Sequence, residues 1–199
     1  MIISDEVYRE YVYDGEKQVS MLEFPEIAEH SIIIDSESKR YSMCGVRIGC
    51  LVTRSKTLHD AAMKFAQARL SPVLIGQILA TAAHDNDAEY IQSVREEYTK
   101  RRNLLVELLN EIPGVKCPTP KGAFYCVAEL PVEDADDFAQ WLLEHFSDNG
   151  ETVMVAPASG FYSVPELGKK QVRIAYVLKE EDLRRSVELI KIALEQYKK

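Results

Sequence analysis

Three short apolar runs constrain this chain more than any other feature: MIIS at residues 1–4, SIIID at 31–35 and GVRIGCLVT at 45–53. Each is too short for a helix and rich in β-branched residues. Their apolar positions are mostly consecutive rather than alternate, the pattern of strands buried on both faces. Buried strands need neighbours on both sides, and the first run has nothing before it with which to pair. Helices are expected over 56–68 and 72–85, the second opened by Ser71 as cap and Pro72 in its first turn. The first 85 residues therefore alternate as an α/β unit does.

A longer helical pattern runs from about Ala88 to Ile112, with Ile91, Val94, Leu104, Leu105, Leu108 and Leu109 on its apolar side and Pro113-Gly114 at its end. Beyond it, VKC (115–117), AFYCVAEL (123–130), TVMVA (152–156) and QVRIAYV (171–177) read as strands, and 135–147 and 180–197 as helices. That mixture predicts two domains, 1–85 and a small α+β domain over 86–199 that takes in the long connecting helix.

Charge and cysteine usage narrow the function classes. The 24 basic and 32 acidic side chains leave a net charge of -8, and no basic stripe offsets it, so nucleic acid is not an expected partner. Lys100-Arg101-Arg102 reads as part of a solvated helix face. No run reaches the about 18 apolar residues of a membrane span, and the first residues lack the basic flank of a secretory signal, so no membrane association is expected and the expected location is cytoplasmic. Cys44, Cys50, Cys117 and Cys126 have no CxxC spacing and lie in strand-like segments, so reduced, mostly buried thiols are expected. The four histidines, His30, His59, His84 and His145, are isolated, and no metal site is expected.

The chemistry-bearing stretch is DSESKRYSMCGVRIG, residues 35–49. A lysine in a loop after a buried strand is ordinarily a solvated lysine, but Lys39 has company. Ser36 and Ser38 offer hydroxyl donors, and Arg47 offers a planar fork that matches a phosphate dianion. An amine beside a phosphate pocket suits pyridoxal 5'-phosphate, which needs an amine with which to condense and an anchor for its phosphate. Elsewhere, Arg173 stands inside an otherwise apolar alternating strand, where a guanidinium is costly without an anion. Its ordinary alternative is a structural ion pair. Asp5 and Tyr8 follow the first apolar run, where the ordinary roles are a helix cap and a packed aromatic.

Residues 36–49 resemble the S-x-S-K-x(7)-R-x-G signature of the class I and II aminotransferases, the fold-type I pyridoxal phosphate enzymes. Val46 departs from the bulky residue common before the arginine. Asp5-Glu6-Val7-Tyr8 resembles the family's D-x-x-Y, some thirty residues before the lysine. Gln171-Val172-Arg173-Ile174-Ala175 resembles its C-terminal V-R-I-[SA] strand, and Pro120–Tyr125 its P-x-G-x-[FY] turn.

The resemblance implies an α/β fold of the pyridoxal phosphate-dependent transferase type, as a partial large domain with a truncated, mostly parallel sheet plus the small α+β domain. It implies Lys39 as the Schiff-base lysine, Ser36, Ser38 and Arg47 on the cofactor phosphate, Asp5 facing the pyridine nitrogen, Tyr8 beside the ring oxygen O3' and Arg173 on the substrate α-carboxylate. The activity implied is transfer of an amino group between an amino acid, with aspartate preferred, and a 2-oxo acid. A homodimer is implied for the full-length parent. Features that the family carries in roughly its first half cannot be assigned here, so the sequence is expected to be a C-terminal portion that is inactive alone. A lyase or decarboxylase of the same fold, or a non-catalytic dimerisation fragment, are the alternatives.

Overall fold

A computed structural model describes residues 1–85 and 87–197, which divide into two compact units, Met1–Arg95 and Glu96–Lys199. In the first unit, β1 (Ile2–Asp5), β2 (Ser31–Ser36) and β3 (Gly49–Val52) form a three-stranded sheet in that order. β1 and β2 are parallel, with Ile2 opposite Ser31 and Asp5 opposite Ile34; β2 and β3 are antiparallel, with Asp35 opposite Cys50 and Ser36 opposite Gly49. One of the two strand pairs is thus parallel, rather than the mostly parallel sheet expected.

Only β2 is buried on alternate residues; β3 is exposed along its length and β1 nearly so. The expectation of strands buried on both faces fails for β1 and β3. Consecutive apolar residues report that a strand is suited to burial, and among the described residues nothing covers these two. The third apolar run also begins later than expected. Cys44–Val46 is a 3-10 turn and Arg47 is left-handed at φ 61°, so pairing starts at Gly49.

After β2 comes a single turn, α1 (Glu37–Arg40), followed beyond β3 by α2 (Lys56–Arg69) and α3 (Leu74–His84). Ser55 caps α2, its hydroxyl accepting from the Leu58 N–H. Ser71 does not cap α3, whose first flanking residue is Val73 with no side-chain cap. The reason lies just upstream. Leu70 sits at φ 69° and ψ -176°, which turns the chain sharply and delays the next helix past Pro72.

α4 (Asp87–Asn110) runs through the division between the two units at Arg95/Glu96. Its first turns belong with the first unit because Tyr90 donates to the Ser42 hydroxyl at 3.1 Å and its ring lies 6.1 Å from that of Tyr41.

The second unit is an antiparallel sheet of order β4-β6-β5, from Tyr125–Glu129, Gln171–Ala175 and Ala156–Pro157, with α5 (Ala135–Glu144) and α6 (Glu180–Gln196). α5 starts where Asp134 accepts from the N–H groups of Asp136 and Asp137, and those two acidic residues also suit the positive end of the helix dipole. It buries Ala135, Phe138, Ala139 and Leu142, one stripe at helical spacing. With Leu105 and Leu109 of α4, Val172, Tyr176, Leu183 and Ile190, these form a closed core.

The strand expected over 152–156 shrinks to Ala156 and Pro157, because only these two find a register on β6 and the Thr152 hydroxyl bonds instead to the Leu142 carbonyl. Arg102 is not on a solvated face. It is buried, donating to Asn103 Oδ1 and to the Pro120 carbonyl. The cysteines split evenly, Cys117 and Cys126 buried but Cys44 and Cys50 exposed, so the expectation of mostly buried thiols holds for half of them.

Candidate active site

Parallel strands deliver their carboxyl ends to the same edge of a sheet, which is where open α/β sheets bind ligands. β1 ends in Asp5 and β2 ends in Ser36, two residues beyond Ile34, the partner of Asp5. Because paired residues point to the same face, Asp5, Ile34 and Ser36 share a face. The Asp5 carboxylate accepts from the Val7 N–H at 3.3 Å, which organises the turn after the strand. Tyr8 follows in that turn.

β2 runs straight into α1. The Ser36 hydroxyl accepts from the Ser38 N–H at 3.1 Å and contacts the Ser38 hydroxyl at 2.8 Å. It also donates to the Ile48 carbonyl at 3.1 Å, next to Arg47. This pins the serine pair and the arginine to one another. Lys39 is held at its own carbonyl by the hydroxyl of buried Tyr11, at 2.8 Å, and its Nζ lies 5.9 Å from the centre of the Tyr8 ring.

Arg47 donates to the Cys44 carbonyl at 2.8 Å. Two glycines shape its surroundings by close approach rather than by flexibility. A Cβ on Gly49 would stand 2.9 Å from the Asp35 carbonyl, and one on Gly76 of α3 would stand 2.9 Å from the Val46 carbonyl. Gly45 has no such constraint. Ser36, Ser38 and Arg47 line a cavity of about 380 Å³ together with Asp35, Cys50 and Arg69, within the usual range for small-molecule pockets.

The opposite face of β2 carries a charge network that the sequence did not announce. Arg40 donates to Glu10 at 2.8 Å and to Asp35 at 2.7 Å, and Arg9 reaches Asp35 at 3.1 Å. Burial pushes the Glu10 carboxyl above the ordinary carboxylate range against the pull of Arg40, while its two carboxylate partners hold the Arg40 proton more firmly than burial loosens it. The network clamps the segment before β2 onto the turn that carries Lys39. His84 is less isolated than expected, since its ring lies between the Tyr41 hydroxyl, 3.0 Å away, and Glu37, 3.3 Å away.

Arg173 lies on β6 in the second unit. Its guanidinium is 4.6 Å from the centre of the Tyr125 ring and 4.7 Å from that of Phe161. Among the described residues it makes no ion pair. Both rings lie within the range at which an aromatic face attracts a planar guanidinium. The turn of Pro120–Tyr125 packs rather than reacts: Phe124 is stacked 5.6 Å from Tyr98, and the Tyr176 hydroxyl donates to the Ala123 carbonyl at 3.0 Å.

Comparison with known proteins gives this arrangement a family. The model for aminotransferase class I and II matches residues 1–190, and the chain belongs to that family. An aspartate aminotransferase of Bacillus subtilis is 32% identical over 205 residues, spanning 99% of this chain and 50% of the relative. A (5-formylfuran-3-yl)methyl phosphate transaminase of Methanocaldococcus jannaschii is 34% identical over 192 residues, with 96% and 49% spanned. The crystal structure of an aromatic aminotransferase from Pyrococcus horikoshii superposes with a TM-score of 0.84 at 28% identity, over 98% of this chain and 51% of that one.

The fold is therefore that of the pyridoxal phosphate-dependent aminotransferases, and pyridoxal 5'-phosphate is the cofactor that membership implies. The chain spans about half the length of the relatives it matches.

The residues of the first unit fit that cofactor in kind: an amine, a carboxylate on the face it shares with the serine pair, and hydroxyls with a guanidinium around a cavity of phosphate-ester size. Tyr11, Arg69, Tyr125 and Phe161 were not picked out from sequence as site residues. Of these only Tyr125, the last residue of the Pro120–Tyr125 turn, lies in a motif that the sequence singled out.

Proposed function

We propose that the whole protein of which this chain is representative transfers an amino group between an amino acid and a 2-oxo acid, with Lys39 as the residue that bears the cofactor. The observation that carries the reading is that Ser36, Ser38 and Arg47 line one cavity where β2 ends, with Lys39 on the same turn and its Nζ 5.9 Å from the centre of the Tyr8 ring. When bound, pyridoxal phosphate supplies an electron sink for the charge left at the substrate Cα.

The chain's own residues do the rest. Ser36, Ser38 and Arg47 hold the phosphate by charge-assisted hydrogen bonds. Asp5 keeps a proton on the pyridine nitrogen, and the Tyr8 hydroxyl donates to the ring oxygen O3'. Lys39 would hold the cofactor through its amine and, when that amine is free, would take and return the Cα proton of the substrate. One amine can do both because, once free, it is left beside the carbon to be deprotonated. Arg173, between Tyr125 and Phe161, binds the substrate α-carboxylate.

Aspartate is proposed as amino donor, supported by the relative of that name, and a cytoplasmic homodimer as the working form. These 199 residues alone are proposed to bind the cofactor weakly and not to turn over, because the cavity is open and the apolar sides of β1, β3, α2 and α3 are bare. Incubation with pyridoxal phosphate, borohydride reduction and peptide mapping tests the assignment. Substoichiometric label concentrated on the Lys39 peptide is expected; label spread evenly over the lysines contradicts it. For the full-length protein, 2-oxo acid production from a panel of amino acids separates transamination from lyase or decarboxylase chemistry.

A further inference from the structure

The cavity beside Ser36 and Ser38 has a second arginine on its wall. Arg69, the last residue of α2, lines it together with Arg47. Among the described residues the Arg69 side chain makes no hydrogen bond and no ion pair. A phosphate monoester carries a charge of about -1.5 to -2 near pH 7. Arg47 alone supplies one positive charge and already commits one of its nitrogens to the Cys44 carbonyl. The serine hydroxyls supply none.

A second observation bears on Arg69. The next residue, Leu70, has φ 69° and ψ -176°, backbone space that is left almost entirely to glycine and strains any other residue. Packing does not repay this, since the Leu70 side chain is 76% exposed. The strained turn stops α2 directly after Arg69 and sends the chain away, so that the arginine is the last group of the helix at the cavity. Arg47, at φ 61°, is likewise held in a left-handed conformation. A left-handed residue thus stands at or next to each guanidinium of this cavity, Arg47 itself and Leu70 after Arg69.

We propose that Arg69 is a second guanidinium for the phosphate of the cofactor, completing with Arg47 the charge that a dianion requires. The inference rests on the cofactor reading above and deepens it. The ordinary role for Arg69, a cation near the negative end of the α2 dipole, predicts an effect on helix stability and none on phosphate recognition.

The test compares pyridoxal phosphate with pyridoxal, which has the same aldehyde and no phosphate, on the full 199-residue chain. After borohydride trapping, label at Lys39 is quantified by peptide mass analysis, and the ratio of the two labelling yields measures phosphate recognition. In the unsubstituted chain the ratio at Lys39 should exceed that at the other lysines. Arg69→Ala should lower it by about threefold to tenfold, with label from pyridoxal unchanged, and Arg69→Lys should restore part of it. Arg47→Ala should lower it at least as much.

If Arg69→Ala keeps the full ratio while Arg47→Ala loses it, the role of Arg69 is overturned and the cofactor reading stands. The role is also overturned if Arg69→Ala lowers labelling by both aldehydes equally. If Lys39 shows no preference over other lysines in the unsubstituted chain, the cofactor reading itself fails and takes this inference with it.

Discussion

The two units use the same kinds of residue to opposite effect. In Glu96–Lys199, α5 and α6 turn every large apolar stripe inward, and Phe138, Leu142, Leu183 and Ile190 are almost wholly buried. In Met1–Arg95, α2 buries no residue and α3 only Gly76 and Ala80, while Phe65, Leu70, Leu74, Ile75 and Ile78 stand exposed. An open apolar hollow of about 660 Å³ lies between Met1, Ile32 and Leu51 on the sheet and Leu58, Met63 and Phe65 on α2. What holds the first unit is more polar, the ion network of Glu10, Asp35 and Arg40 and the hydrogen bonds around Glu6. Of the site residues expected from sequence, the unit with the closed core contributes one, Arg173. The unit without one contributes six.

That contrast can be broken by substitution. Phe138→Ala should cost about 3–5 kcal/mol in chemical denaturation, because a fully buried ring leaves a cavity, whereas Phe65→Ala should stay within about 0.5 kcal/mol. Equal losses would show that the first unit is packed after all. Next in size, Arg40→Met should destabilise the first unit by about 3 kcal/mol, since Asp35 and Glu10 would keep their buried charge without its partner. Amide exchange should show the loss in residues 1–95 and leave the second unit protected.

Acid should discriminate further. Burial raises the Glu6 carboxyl, but hydrogen bonds from the Met21 N–H, Ser20, Ser4 and Gln18 outweigh it, so its folded pKa lies below the unfolded value of 4.5. A carboxylate lowered on folding stabilises fully above the unfolded value and loses that contribution as pH falls through the folded one. Melting of the first unit should therefore steepen below pH 4.5, and Glu6→Gln should flatten that dependence. The smallest effect is a gain: Leu70→Gly should stabilise by about 1 kcal/mol, read as a raised melting temperature, by relieving left-handed backbone.

Much of this was legible in the sequence, for reasons that differ by residue. Lys39, Ser36, Ser38 and Arg47 lie within twelve positions of one another, so a local pattern captures them. The helices of the second unit were readable because apolar spacing reports a closed core, as at Ala135, Phe138, Ala139 and Leu142. Contacts that depend on register were not readable. Arg40 meets Glu10 across 30 positions, Tyr11 meets the Lys39 carbonyl across 28, and Arg102, taken from its charged neighbours to be solvated, is buried against Pro120. The runs at β1 and β3 misled in the other sense, since strand-like composition fits a strand for burial but supplies no cover, and among the described residues nothing covers these two. Ser71 and Pro72 carried a sound helix-start signal, overridden by the turn at Leu70.

The central claim is that the edge where β1 and β2 end is built around one pyridoxal ring. The direct measurement is a crystal structure of the chain after borohydride trapping of pyridoxal phosphate. Continuous density from Lys39 Nζ, with the pyridine nitrogen toward Asp5 and the phosphate against Ser36, Ser38 and Arg47, is the predicted result. Density joined to Lys39 but with its phosphate in solvent, or joined to another lysine, would contradict it.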